Sequence, residues 1–248
     1  MKLSAIILTK NEEKNIKDSL VSLRFCDEII VIDDYSSDKT TEIAKSLGSK
    51  IYKRELKADF SKQRNFGLAK ASGDWVLFLD PDERISKDLS EEILDKIKNK
   101  NINGYFFKRY DYLWGKKIKH GEIGTLRILR LAKRSAGRWA RSVHEFWQIN
   151  GKISTLKNPI LHYPHQSLSE FISRINFFSD LHAKANFKEG KRSNLVKIIF
   201  WPIAKFIYGF FFKFGFMDGE VGFVVAIVMS MHSFLAWSKL WVYQNQKS

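Results

Sequence analysis

One cysteine, Cys26, stands in 248 residues, which excludes a disulfide framework and fits a reducing compartment. There is no internal repeat and no low-complexity tract, so solenoid and fibrous architectures are excluded. The opening residues, Met1–Leu8, hold one lysine and an apolar run too short for an export signal. No small-residue cleavage site precedes Glu12-Glu13, so this stretch reads as a first strand. Acidic side chains are scarce in one part of the chain only. Residues 1–100 balance their charges, and the whole formal excess of +15 lies in residues 101–248. A neutral half followed by a basic, aromatic-rich half implies two jobs, one of which meets something anionic: nucleic acid, phospholipid or a phosphorylated acceptor. With 44% apolar residues the chain is not disordered, and it is long enough to bury a core.

The first hundred residues alternate strand and helix signals. Residues 3–8, 28–32, 50–53 and 74–79 are short apolar runs that read as strands. Between them, helices are expected after Asn11 as N-cap, with Ile16, Leu20 and Leu23 inward, then over 37–47 closed by Gly48, and over 60–71. Ser86 caps a further helix with Leu89, Ile93, Leu94 and Ile97 on one face. The alternation predicts an α/β fold, a mostly parallel sheet flanked by helices. Beyond residue 100, stretches 105–109 and 125–131 read as strands, and Ser167-Leu168-Ser169-Glu170 is a capping box opening a long helix. Residues 190–194 form a linker, followed by very apolar segments at 195–214 and 221–237. The expected division is a core domain over 1–190 and an apolar helical appendage over 191–248.

Three polar groups fall at the carboxyl ends of expected strands: Thr9-Lys10-Asn11-Glu12, Asp33-Asp34 and Asp80-Pro81-Asp82-Glu83. Ligands of open α/β sheets sit at such ends, where the strand order reverses. A single strand-end aspartate ordinarily just starts a turn; three together point to one cleft. Asp80 and Asp82 are two apart, so on an extended chain both carboxylates face one way and suit one Mg2+ or Mn2+ with room for a diphosphate.

With these groups, Arg64-Asn65-Phe66-Gly67-Leu68, Ala71-Ser72-Gly73-Asp74-Trp75, Leu126-Arg127-Ile128-Leu129-Arg130, Arg138-Trp139 and Val143-His144-Glu145 follow one order and spacing. That pattern resembles family 2 glycosyltransferases of the GT-A type, closely over roughly the first 85 residues. It is similar to the subgroup containing lipopolysaccharide-core β-1,4-glucosyltransferases, as is the tail Gly215-Phe216-Met217-Asp218-Gly219 with Gly222, Phe223 and Ala226. The resemblance implies a UDP-sugar donor held by Thr9, Asn11, Glu12, Asp33, Asp34, Arg64 and Asp80, with a divalent metal on Asp82. Glu145 would be the general base, aided by His144. Arg130, Arg138 and Trp139 are candidates for contact with acceptor or phosphate. His144-Glu145 stands where the family usually has an acidic pair, and the glutamine-led Arg-Trp motif of processive members is absent. An inverting transfer of one hexose per encounter, glucose by resemblance, is expected.

Residues 105–141 interleave basic and aromatic side chains against only Asp111 and Glu122. No nucleic-acid-binding motif accompanies them, so nucleic acid is not an expected partner. A solvated basic face and contact with a phosphorylated sugar-lipid both fit. The apolar tail, interrupted by Lys197, Lys205 and Lys213, suits helices lying in the interface of an anionic membrane, although residues 221–238 reach the lower length limit for a span. The expected place is the cytoplasmic face of a bacterial inner membrane, the expected acceptor a saccharide on a membrane lipid. A sugar-nucleotide nucleotidyltransferase would need a Gly-rich phosphate loop after the first strand, which Thr9–Glu12 does not offer. A purely binding protein using the basic half would leave the strand-end aspartates without a purpose.

Overall fold

The computed structural model describes residues 1–124, 126–141, 145–164 and 167–246. The chain forms two compact units, Met1–Arg109 with Arg127–His162, and Tyr110–Leu126 with Tyr163–Ser248. The division falls at residue 162, ahead of the linker expected near 190, because the long helix that follows Ser167 packs with the apolar tail.

The first unit opens with β1 (Leu3–Thr9), α1 (Ile16–Ser22), β2 (Glu28–Asp33), α2 (Thr40–Ser46), β3 (Lys50–Lys53), α3 (Phe60–Lys70) and β4 (Trp75–Leu79). It continues through β5 (Glu83–Arg84), α4 (Lys87–Lys96) and β6 (Gly104–Leu113). After β7 (Lys116–Ile118) of the second unit come β8 (Arg127–Lys133), β9 (Gly137–Ala140), β10 (Phe146–Ile149), β11 (Ile153–Thr155) and β12 (Ile160–His162). The sheet runs β3-β2-β1-β4-β8-β6-β12-β5, with β11 also on β6. Its first four strands are parallel, and β8 starts an antiparallel half. The mixed sheet thus contains the parallel block the sequence implied and extends it with β8 and β6, where strands were expected, and with β5, β7, β11 and β12, of two or three residues, too short for a period to betray.

Period-two alternation explains the packing. Leu3, Ala5, Ile7, Val31, Leu77 and Leu79 face one side, with Ile16 and Leu20 of α1 and Leu89 and Ile93 of α4. Ile6, Ile30, Ile32, Val76 and Phe78 face the other, with Leu68 of α3, Trp139 and Trp147. Covered on both faces, these strands read as unbroken apolar runs, and each fully buried aliphatic side chain contributes roughly 1.5–3 kcal/mol. Gly67 lets α3 approach closely, since a Cβ there would stand 2.8 Å from Ile6 Cγ2. Glu28 ties the amino-terminal edge together, accepting from Ser4 Oγ at 2.7 Å, Lys50 Nζ at 2.7 Å and Ser72 N at 2.9 Å. Asn11 does not cap α1. Its φ is +54°, the N-cap is Asn15, and Asn11 turns the loop ahead of the helix instead.

In the second unit, Asp111–Leu113 pair with β7, and three helices follow: α5 (Leu168–Lys188), α6 (Leu195–Ile207) and α7 (Gly219–Gln246). Ser167 caps α5, accepting from Glu170 N, as its motif implied. A π-helical turn, Tyr208–Phe212, and a 3-10 turn, Gly215–Asp218, separate α6 from α7. The stretches Leu195–Phe212 and Gly215–Gln246 are long and apolar enough to cross a membrane, by length and composition.

Candidate active site

Registers bring the three strand-end groups together. Thr9 pairs with Asp33, and Ile7 with Leu79, so the carboxyl ends of β2, β1 and β4 lie side by side. The strand order reverses here, with β3 and β2 on one side of β1 and β4 on the other. The loops are laced to one another. Asn11 Oδ1 accepts from Ser37 N at 2.8 Å, Glu12 N donates to Thr40 Oγ1 at 2.7 Å, and Glu12 Oε2 accepts from Asn15 Nδ2. Asp33, fully buried, accepts from Ser36 N and Ser36 Oγ, so its carboxylate holds its own turn. Asp34 accepts from Lys10 Nζ at 2.9 Å and from Leu56 N at 3.0 Å. Thr9 Oγ1 is buried with no hydrogen-bond partner among the described residues.

Arg64, on α3, is the hub. Its Nε donates to Glu145 Oε1 at 2.8 Å and its Nη2 to Asp80 Oδ1 at 3.2 Å. The guanidinium lies 4.6 Å from the Trp139 ring centroid and 5.5 Å from that of Phe78. Asn65 fixes this platform, exchanging hydrogen bonds with Trp139 N and O across α3 and β9. Trp139 is stacked on Trp147 and 5% exposed. It therefore packs under Arg64 rather than offering an open face to an acceptor. Arg130 is also buried, with Nη2 donating to Asp80 Oδ2 at 2.5 Å, whereas Arg138 is exposed. Arg64 Nη1 and Arg130 Nε are buried donors without a hydrogen-bond acceptor among the described residues.

Asp80 and Asp82 do not share a direction. Glu83 N donates to Asp80 O at 3.0 Å, closing a turn with Pro81 at its second position, which rotates Asp82 away from Asp80. Both oxygens of Asp80 are taken by arginines. Burial alone would raise its pKa, but the charges of Arg130 and Arg64 hold it well below the usual carboxylate range. Glu83, fully buried beside it, accepts from Asp80 N and has Arg109 Nη1 at 3.7 Å; burial and the Asp80 charge push its pKa up. Asp82 Oδ2 instead lies 3.4 Å from His162 Nε2. Two donors bound to one cation at about 2.1 Å and at right angles stand about 3.0 Å apart. At 3.4 Å the pair is somewhat wider than that; Asp82 and His162 are the side chains here that could hold a divalent cation. No cluster of three or more such ligands occurs among the described residues, so diphosphate and water oxygens would have to complete the sphere.

The site thus joins Arg64, Asp80, Arg130 and Glu145 in one network, and Asp82 with His162. His144 lies outside the described residues. Arg109 and His162 were not anticipated, and Glu83 was anticipated only as the last member of its strand-end group. His162 had one readable signal: it ends a short apolar run between Pro159 and Pro164, a strand-end polar group like the aspartates.

Residues 4–153 match the model of glycosyl transferase family 2. The lipopolysaccharide core biosynthesis glycosyltransferase LpsC of Rhizobium meliloti is 30% identical over 247 residues, covering 96% of this chain and 92% of LpsC. S. aureus TarS 1–349, solved with UDP-GlcNAc, has a TM-score of 0.53 at 16% identity over 99% of this chain and 92% of that one. Glucosyl-3-phosphoglycerate synthase from Mycobacterium tuberculosis, solved with Mn2+, UDP and glucosyl-3-phosphoglycerate, has a TM-score of 0.50 at 17% identity, over 74% and 79%. Those two likenesses are of fold, the GT-A type expected. With the family's model matched over most of the chain and a relative aligned nearly end to end, the protein belongs to glycosyl transferase family 2.

Proposed function

We propose an inverting, non-processive, metal-dependent transfer of a hexose, glucose by resemblance, from a UDP-sugar to a saccharide on a membrane lipid such as lipopolysaccharide core. The setting is the cytoplasmic face of a bacterial inner membrane. The observation that carries the reading is the Arg64 bridge, which joins a donor-side carboxylate, Asp80, to the candidate base, Glu145. UDP and UDP-GlcNAc in the two structural neighbours favour the donor class, and the name of LpsC favours the acceptor. Mn2+ in the second neighbour favours the metal.

The loops bearing Thr9, Asn11, Glu12 and Asp34 would frame the nucleoside. The unpartnered N–H groups of Arg64 and Arg130 would meet the anionic diphosphate, in a buried site where such contacts are strong. Asp82 and His162 would hold the cation, which supplies Lewis-acid stabilisation of the departing diphosphate. Glu145 takes the proton as the acceptor hydroxyl oxygen bonds to the anomeric carbon; the bond from that carbon to the diphosphate oxygen breaks with its electron pair leaving on UDP. Attack opposite the leaving group inverts the anomeric centre. Arg64 Nε holds Glu145 through Oε1, while its Nη1 is the donor left for the diphosphate.

The test is a panel of nucleotide-sugars offered to purified protein with Mn2+, following thermal stabilisation, hydrolysis and the anomeric configuration of the product by NMR. Response to UDP-hexoses with inversion supports the proposal. A response confined to other nucleotides, or retention of configuration, overturns it.

A further inference from the structure

Helices α5, α6 and α7 form a layer with α7 in the middle. On one side, Phe171 and Ile175 of α5 pack against Val225 and Val228. On the other, α6 runs antiparallel to α7: Ser230 Oγ donates to Pro202 O at 2.7 Å, Trp201 stacks on Trp237, and Phe206 meets Phe223. Gly222 lets the preceding 3-10 turn fold back on α7, because any Cβ there would collide with Gly215 O. The outer face is bare. Leu195, Phe200, Trp201, Phe211, Phe212 and Met217 are 52–71% exposed, and only 11% of the Leu195–Phe212 stretch is buried, unlike the core helix of a soluble protein. A contiguous exposed apolar face of this kind marks an interaction surface.

We infer that this face docks on a lipid bilayer with anionic headgroups, and that the three helices lie in the plane of the membrane rather than across it. Charge complementarity selects the occupant. Residues 184–213 carry seven basic side chains and a single acid, and Lys197 and Lys213 lie over the Trp237 and Tyr208 rings, at 5.2 and 5.6 Å. Such lysine–aromatic pairs suit the headgroup level. The orientation follows from polar groups at both edges of the layer. Toward α5, Lys239 Nζ is ion-paired with Asp180 at 2.9 Å and donates to Asn176 and Ser179. At the turn, Asp218 accepts from Lys119 N and His120 N and lies 3.1 Å from His120 Nδ1, and Gly121 N donates to Lys213 O. In the last turn of α6, Lys205 is paired with Glu122 at 3.0 Å. A crossing hairpin would carry these charged groups into hydrocarbon, where taking an ion out of water costs several kcal/mol even when it is paired. Lying flat keeps them wet.

The inference names the membrane partner of the proposed transferase and rests on that reading for the acceptor's location alone. Its test therefore uses vesicles without turnover. Full-length protein should float with phosphatidylethanolamine–phosphatidylglycerol vesicles, bind phosphatidylcholine more weakly, and be released only in part by high salt, because burial of Phe and Trp is insensitive to screening. The double variant Phe200→Ser, Phe212→Ser should lose at least about tenfold in partitioning; unchanged thermal melting would show that it folds. Environment-sensitive labels placed singly at positions 195, 203 and 212 should report one shallow depth. A label at 203 far deeper than at 195 and 212 overturns the in-plane arrangement in favour of a span. Absence of flotation, with a stable dimer in ultracentrifugation, overturns the lipid partner in favour of a second copy. Protein that floats yet turns over no nucleotide-sugar sinks the transferase reading and leaves the docking intact.

Discussion

Arg64 donates to Glu145 at 2.8 Å across 81 residues of sequence, and the same guanidinium reaches Asp80 at 3.2 Å. Only a planar fork with several fixed donors makes both contacts at once while lying over Trp139. Arg64→Lys keeps the charge and loses the geometry. It should lower kcat at least about tenfold, the loss expected when one charge-assisted hydrogen bond goes. Turnover equal to wild type would remove Arg64 from the mechanism.

Glu145→Gln should reduce transfer by about 10²–10⁴-fold, the usual contribution of a general base, with donor affinity nearly intact. The amide keeps the size and can still accept from Arg64, but cannot take the acceptor's proton. Calorimetry with UDP-sugar and initial rates separate the two effects. A variant within a few-fold of wild type places the base elsewhere.

Asp82→Ala and His162→Ala should each abolish the difference that a divalent cation makes to UDP-sugar binding. The two side chains are 3.4 Å apart and both can ligate a cation, whereas Asp80 is committed to arginines. Titration with and without chelator checks this. Chelator-insensitive binding by the wild-type protein would sink the cation role.

Legibility in the sequence followed the physics of each element. Buried parallel strands such as Glu28–Asp33 and Trp75–Leu79 are unbroken apolar runs and show plainly. The hairpin of β9 and β10, and β5 and β12, are two to four residues long and carry no period. Asp80 and Asp82 were readable as a pair but not in direction, because a turn replaces the extended geometry that spacing assumes. Nothing in the stretch around Glu145 announces Arg64, 81 residues away, as its partner in space. Long-range pairs of this kind leave no local trace.

Cys26 should resist thiol reagents in the folded protein at mildly alkaline pH. Burial, helped by the charge of Asp27, pushes its thiol pKa well above the ordinary value, so little reactive thiolate forms. Labelling kinetics in native buffer and in denaturant check this; equal rates would refute it.

Acid stability should depend on Glu28. Burial alone would raise its pKa, but hydrogen bonds from Lys50, Ser72 and Ser4 outweigh burial and bring it down to about 2. An unfolded glutamate titrates near about 4.3. The folded value is the lower of the two, so the carboxylate's contribution is fully present above the unfolded value and is lost as pH falls from about 5 toward 2. Its size is on the order of 3 kcal/mol, a large share of a typical folding free energy. Glu28→Gln should therefore flatten the acid limb of the stability curve and lower stability at neutral pH, because the amide keeps one acceptor where the carboxylate serves four donors on β1, β3 and the turn before β4. Urea unfolding of both proteins between pH 3 and 7 measures it. Parallel stability curves across that range would show that Glu28 does not carry the acid dependence.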